Sequence, residues 1–175
     1  MRGSVGMAEL NLQFSWVVEF EGLESLASFF VNNVDPSYIS HGEIIAGRSH
    51  DGVTWSTDLH AIMLKELLEC VASFRNNRES RAATVKQHGK LLGLAIVQVV
   101  HDDVRSHAWI DDMVIDRDVR SRRVGGQFLT WLEAEITGTG IASVFIESGV
   151  GNVSAHHFFQ RRGYATCSLV MKKML

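Results

Sequence analysis

Apolar and polar residues alternate over residues 14–20. Phe14, Trp16, Val18 and Phe20 fall on one side, and this period of two predicts a β-strand. The period then lengthens. After Gly22, the residues Leu23, Leu26, Ala27, Phe30 and Val31 share one face of a helix that reaches Asn33. Asp35-Pro36-Ser37 stops it, because the residue before a proline avoids helical backbone. Residues 37–52 carry no clean period and leave room for a short helix. Ser56 or Thr57 can cap the next helix, in which Leu59, Ile62, Met63, Leu67, Cys70, Val71 and Phe74 keep helical spacing.

Strand patterns follow. Residues 80–87 and 91–100 flank the turn His88-Gly89 and predict an antiparallel hairpin. His101-Asp102-Asp103 turns the chain again. Residues 108–115 form an apolar strand interrupted by Asp111 and Asp112. A basic loop over 116–123 leads into a helix over 124–136, with Val124, Phe128, Leu129, Leu132 and Ile136 inward. Gly138 and Gly140 close it. A strand over 142–147, a helix over 152–162 with Gly163 as its C-terminal cap, and a last strand over 164–172 complete the order β-α-α-β-β-β-α-β-α-β. That order predicts an α/β (α+β) fold.

Composition narrows the class. A chain of 175 residues, 46 % hydrophobic and 21 % charged, has enough apolar material for one domain over 1–175, with residues 1–8 as a flexible tail. The net charge of −3 gives no basic field for nucleic acid. No apolar stretch reaches the ~18 residues of a membrane span, and a cytoplasmic location is expected. Cys70 and Cys167 make no disulfide framework, and both are expected as buried structural thiols. The eight histidines include no i, i+4 pair, so no metal site is expected.

Basic charge is concentrated locally, at Arg117, Arg120, Arg122 and Arg123, with a smaller pair at Arg161 and Arg162. The first cluster lies between a strand and a helix. A helix N-terminus offers unpaired N–H groups and the positive end of a dipole, and Gly125-Gly126 permits close approach of an anion. A pyrophosphate is the ligand this stretch suits; a solvated basic loop before an ordinary helix is the plainer alternative.

The segment Arg120-Ser-Arg-Arg-Val-Gly125 resembles the Gln/Arg-x-x-Gly-x-Gly/Ala motif of the GNAT superfamily of N-acetyltransferases, with Arg123 standing in place of the first glycine. Asn152-Val-Ser-Ala155-His-His-Phe158-Phe159-Gln-Arg-Arg-Gly163-Tyr164 is similar to that family's Asn-x-x-Ala-x-x-Leu-Tyr-x-x-x-Gly-Phe segment. Together the two motifs cover about a third of the chain, over residues 108–164. The resemblance implies a mixed, mostly antiparallel sheet of six to seven strands with a V-shaped split between two parallel strands, flanked by about four helices. It implies acetyl-CoA as cosubstrate, without a metal. Met113, Val114 and Ile115 would hold the pantetheine arm. Arg120, Arg122, Arg123, Val124, Gly125, Gly126 and Gln127 would hold the pyrophosphate, with Asn152, His156 and Phe159 beside the cofactor. Dimers are common in the family, so a homodimer is also compatible.

The implied reaction moves an acetyl group to a primary amine of a small molecule: a polyamine, an amino acid or an antibiotic-like compound. A protein or peptide amine is the variant. The amine needs a base to take its proton. By the resemblance, Glu147 stands where the family's ribosomal-protein alanine acetyltransferases carry a proposed base, and Asp111 and Asp112 where its polyamine acetyltransferases carry acidic residues; Glu147 and Asp112 are the catalytic candidates. Asp111, Tyr38, His41 and Glu43 would line the acceptor side. Neighbours on a strand point to opposite faces, so Asp111 and Asp112 share a face only if the strand bulges. Phe159 replaces a tyrosine that protonates the leaving thiolate in relatives; His156, Tyr164 or a hydroxyl from the N-terminal half are substitutes. Failing these, the thiolate leaves unaided or through water, or the chain is a catalytically silent acyl-CoA-binding module. A phosphate-binding regulator using only the basic loop is a third reading.

Overall fold

The computed structural model describes residues 11–76, 80–102, 105–120 and 122–173. The expected tail over 1–8 and Asp103 of the expected turn lie outside these residues. Five strands are described: β1 (Gln13–Trp16), β2 (Ser80–Gln87), β3 (Lys90–Val100), β4 (His107–Ile115) and β5 (Val144–Ile146). Five helices accompany them: α1 (Leu23–Asn33), α2 (His41–Ile45), α3 (Leu59–Arg75), α4 (Val124–Gly138) and α5 (Val153–Gln160). Single 3-10 turns lie at Pro36–Tyr38 and Arg117–Val119. Among the described residues, no helix is long and apolar enough to cross a membrane.

The sheet runs β1-β2-β3-β4-β5, antiparallel except for the parallel pair β4–β5. Helices α1 and α3 cover one face, where Phe30, Met63, Leu67 and Val71 meet Ala82, Leu94 and Val114. Helix α4 covers the other, setting Phe128, Leu129 and Leu132 against Val85, Val97 and Ile110. Each such side chain, removed from water, contributes about 1.5–3 kcal/mol before the entropy of ordering is charged against it.

Two departures from regularity place the site. First, β4 and β5 pair only over Ala108–Ile110 and Val144–Ile146. Beyond Ile110 the strands part, which is the expected V-shaped split. Second, Ile96 pairs with Asp112 and Val97 with Ile110, so Asp111 is an extra residue in the ladder. This β-bulge switches the phase of the strand. Before it, Ala108 and Ile110 face α4; after it, Val114 faces α1 and α3 while Met113 and Ile115 face α4.

Two sequence expectations need correction. The described sheet has five strands, not six to seven, because residues 165–173 are exposed and form no strand. Their alternation suits a strand, but a strand also needs a neighbouring edge, and no described strand pairs with them. Cys167 lies in this stretch and is accordingly exposed, whereas Cys70 is buried as expected.

Candidate active site

Two cavities open on either side of the split. One, of about 380 Å³, runs between the parted ends of β4 and β5. Its walls include Met113, Val114 and Ile115 of β4, Gly125 of α4, Asn152, and Ser154, Ala155, Phe158 and Phe159 of α5. Arg120 and Arg161 bring the positive charge.

The α4 N-terminus closes one end of this groove. Its first described backbone donor to a protein acceptor is Gln127, whose N–H reaches the Arg123 carbonyl at 3.1 Å. The N–H groups of Val124, Gly125 and Gly126 have no acceptor among the described residues, the arrangement that suits a helix start to an anion. Arg123 precedes them in the left-handed conformation at φ +67°, a region that favours glycine. Gly126 faces away from the groove. A Cβ there would sit 1.7 Å from Nη2 of Arg162, whose Nη1 donates to the Gly126 carbonyl.

The predicted cofactor residues separate accordingly. Met113, Val114, Ile115, Arg120, Gly125, Asn152 and Phe159 line the groove; Arg122, Arg123, Val124, Gly126, Gln127 and His156 do not contribute to its walls. The Met113 N–H, one of the donors expected for a pantetheine amide, instead donates to the Tyr38 hydroxyl at 3.2 Å. Arg120 donates from Nη2 to the Asn33 carbonyl at 2.7 Å, tying the loop to the end of α1. Sequence reasoning missed Arg161 as a groove residue. It shares a helical face with Ser154 and Phe158, so the period of α5 contains the signal.

The second cavity, about 310 Å³, is acidic. Glu43, Glu66, Glu69, Asp111, Asp112 and Glu147 contribute to its walls, against the single guanidinium of Arg48. The cavities share three residues: Ile110, Asp111 and Glu147. Because of the bulge, Asp111 and Asp112 both reach the acidic cavity, as the sequence requires of two adjacent aspartates on one side.

The three carboxylates differ in their surroundings. Asp112 is 1 % exposed. It accepts from Arg48 Nη1 at 2.9 Å and Nη2 at 2.8 Å, and from the Tyr38 hydroxyl at 2.9 Å. Arg48 also pairs with Glu66 and lies over the Phe30 ring. Burial opposes its charge, but Asp112 and Glu66 outweigh that and hold Arg48 protonated. Glu147 anchors the start of α2: its Oε1 accepts from His41 N–H at 3.0 Å, Gly42 N–H at 3.3 Å and His41 Nδ1. Burial raises its pKa, but the donors of Ser40, His41 and Gly42 hold it below the usual carboxylate range overall. Asp111 has no such partners among the described residues. It is exposed to solvent where the two cavities meet, and partial desolvation there, then the Asp112 charge, pushes its pKa up to about 7.

The remaining predicted acceptor residues also have defined places. Tyr38 lines the groove and bonds Asp112; burial pushes its hydroxyl pKa well above the usual value. His41 touches Glu147 and lines neither cavity. Glu43 is buried, closes the Ser40 capping box and borders the acidic cavity. Among the described residues, no group of three or more His, Cys, Asp or Glu is arranged to hold a metal ion.

No curated protein sequence matches this chain. Solved structures match it in fold at low identity. The tetramutant of BH1408 protein from Bacillus halodurans is 10 % identical, at TM-score 0.73 over 93 % of this chain and 99 % of that one. An aminoglycoside N-acetyltransferase, AAC(6')-Iy, solved in complex with CoA, is 12 % identical at TM-score 0.67, over 94 % and 95 %. A ribosomal-protein-alanine N-acetyltransferase from Brucella melitensis biovar Abortus 2308 is 11 % identical at TM-score 0.63, over 93 % and 99 %. The sequence profile of the acetyltransferase (GNAT) family matches residues 49–164, which include the bulged strand, the basic loop and α5. With the split sheet and the helix N-terminus beside it, this match establishes that the chain belongs to the GNAT family of acetyltransferases and is an acyltransferase.

Proposed function

We propose that the protein transfers an acetyl group from acetyl-CoA to the primary amine of a small cationic molecule, with Asp111 as the general base. The observation that carries this reading is the meeting of the two cavities at Asp111. The basic groove suits a CoA pyrophosphate at the N–H groups of Val124 and Gly125, assisted by Arg120 and Arg161. The acidic cavity suits a cation. Its volume fits a small molecule better than a folded protein surface.

Acetyl-CoA supplies a thioester whose C–S bond breaks as the amine nitrogen forms the amide. The amine arrives as an ammonium, drawn by the carboxylates around Asp111. Asp111 takes its proton, and a carboxyl poised near pH 7 is suited to accept it and pass it to water. Asp112, engaged by Arg48 and Tyr38, serves to fix the bulge, and Glu147 to fix α2 while keeping its charge. This reassigns the base from the Glu147 and Asp112 of the sequence reading. The thiolate takes its proton from water: Phe159 has none to give, and the Tyr164 hydroxyl is occupied by Glu133 at 3.0 Å.

Thiol release from acetyl-CoA, measured across polyamines, amino acids, aminoglycosides and short peptides, tests the proposal. Turnover with a small polycation that Asp111→Asn abolishes, without loss of CoA binding, is expected. Phe159 favours a second reading, the silent acyl-CoA-binding module. Tight CoA binding with no thiol released for any amine would select it.

A further inference from the structure

Three rings outside both hydrophobic cores run out from the wall of the acidic cavity. Ala108 and Ile110 face α4, so Trp109 between them points to the opposite side of β4, where it borders that cavity. Phe145, its partner in register on β5, stacks beside it, with ring centroids 5.0 Å apart at 29°. His107 stands edge-on to both rings, 6.4 Å from Trp109 and 5.6 Å from Phe145. Neither Trp109 nor Phe145 packs against either core, and all three rings are only half-buried. Aromatic side chains grouped in this way beside a cavity, and not spent on the core, are surface suited to a ligand.

Charge fixes where a ligand's amine goes and leaves the rest of it to these rings. Five of the six carboxylates of the cavity already have partners. Asp112, Glu66 and Glu43 converge on Arg48, Glu147 holds the start of α2, and Glu69 pairs with Lys65 at 3.9 Å. Asp111 is left, two residues beyond Trp109 on the same strand. At the rise of a strand, the carboxyl and the indole are rooted roughly 7 Å apart. A short carbon linker between an amine and a ring spans that separation.

We propose that the acceptor carries an aromatic ring beside its primary amine, and that Trp109 selects for it by taking that ring onto the Trp109–Phe145 stack. This rests on the reading of the site as one of acetyl transfer to a small amine. The amine meets Asp111, and the acceptor ring lies against the indole. An offset or edge-on ring pair gains energy beyond the burial of its area, whereas a saturated chain of equal charge gains burial alone. A second ammonium is the other group that a ring face attracts. The rings favour the aromatic group, because every carboxylate of the cavity other than Asp111 is already engaged.

Two diamines of equal charge and similar length separate ring from chain: 1,4-bis(aminomethyl)benzene and 1,6-diaminohexane. Titrated by calorimetry into the full-length protein saturated with CoA, the aromatic diamine is expected to bind about threefold to tenfold more tightly. Trp109→Phe, which keeps a ring, is expected to retain the preference, and Trp109→Leu to abolish it. In turnover, the same ratio is expected in KM and not in kcat. Equal affinities in the wild type overturn the proposal, as does tighter binding of the alkyl diamine, which would put an ammonium on the indole. A preference that survives Trp109→Leu, or no binding of either diamine, overturns it too. The titration needs no thiol release, so a lack of acetyl transfer with every amine would sink the catalytic reading without altering the ring preference.

Discussion

Asp111 carries two opposed consequences in one side chain. Its folded pKa, near 7, lies above the usual value of 3.8, so the native state holds the proton more tightly than the unfolded chain does. Stability therefore falls as pH rises from about 4 to about 7. Asp111→Asn removes that penalty. The variant is expected to melt higher than wild type at pH 7.5 and to show a flatter melting profile between pH 4 and 7. It should also lose 10²-fold or more in turnover, roughly the low end for a lost general base. In the wild type, kcat/KM should rise through a limb near pH 7. Arg48 behaves oppositely. Arg48→Met leaves the buried Asp112 and the half-buried Glu66 without their cation, a loss of about 3–5 kcal/mol. Thermal unfolding should fall by roughly 10 °C, at 2–4 °C per kcal/mol for a chain of this size. Arg48 was illegible in the sequence. It sits in a stretch without period, and nothing local signals that it is to be buried against an aspartate on a distant strand.

At the scale of elements, the helices with long periods were legible and the short one was not. The apolar spacing of α1, α3 and α4 fixed their inner faces, because a helix buries a stripe that recurs every three to four residues. Helix α2 is five residues long, too short for a stripe. Its legible mark is the Ser40-His-Gly-Glu43 capping box. The Glu147 carboxylate completes that cap across the sheet. Glu147→Gln keeps the shape but removes the charge at the helix start, so it should cost about 0.5–1 kcal/mol in denaturant unfolding. Turnover should fall more than CoA affinity, as α2 loosens beside the acceptor cavity. At the other helix start, the Gly125 Cβ position lies 3.3 Å from Ile115 Cγ1, at the groove wall. Gly125→Asp places bulk and negative charge where the pyrophosphate is proposed to bind. A rise in the CoA dissociation constant of about tenfold or more, or about 1.4 kcal/mol, is expected by calorimetry. An unchanged constant would move the phosphate away from this helix.

For the whole molecule, the class of architecture and part of the basic groove were readable in the sequence, because both depend on contiguous stretches. The acceptor side was only partly readable, since it is assembled from α2, α3, β4 and the end of β5, which lie far apart in the chain. The phase change at Asp111 is legible in the sequence only as a condition on two adjacent aspartates, and the structure meets it. That phase change has a consequence for how the protein tolerates mutation. Ile96 and Val97 already face Asp112 and Ile110 across the ladder, so the strand reads like a line with one inserted letter, regular on both sides of it. Deleting Asp111 would close the two halves into an unbroken alternation and leave Met113, Val114 and Ile115 on the faces they hold. The shortened chain is therefore expected to fold, read by circular dichroism, while losing the carboxyl where the two cavities meet.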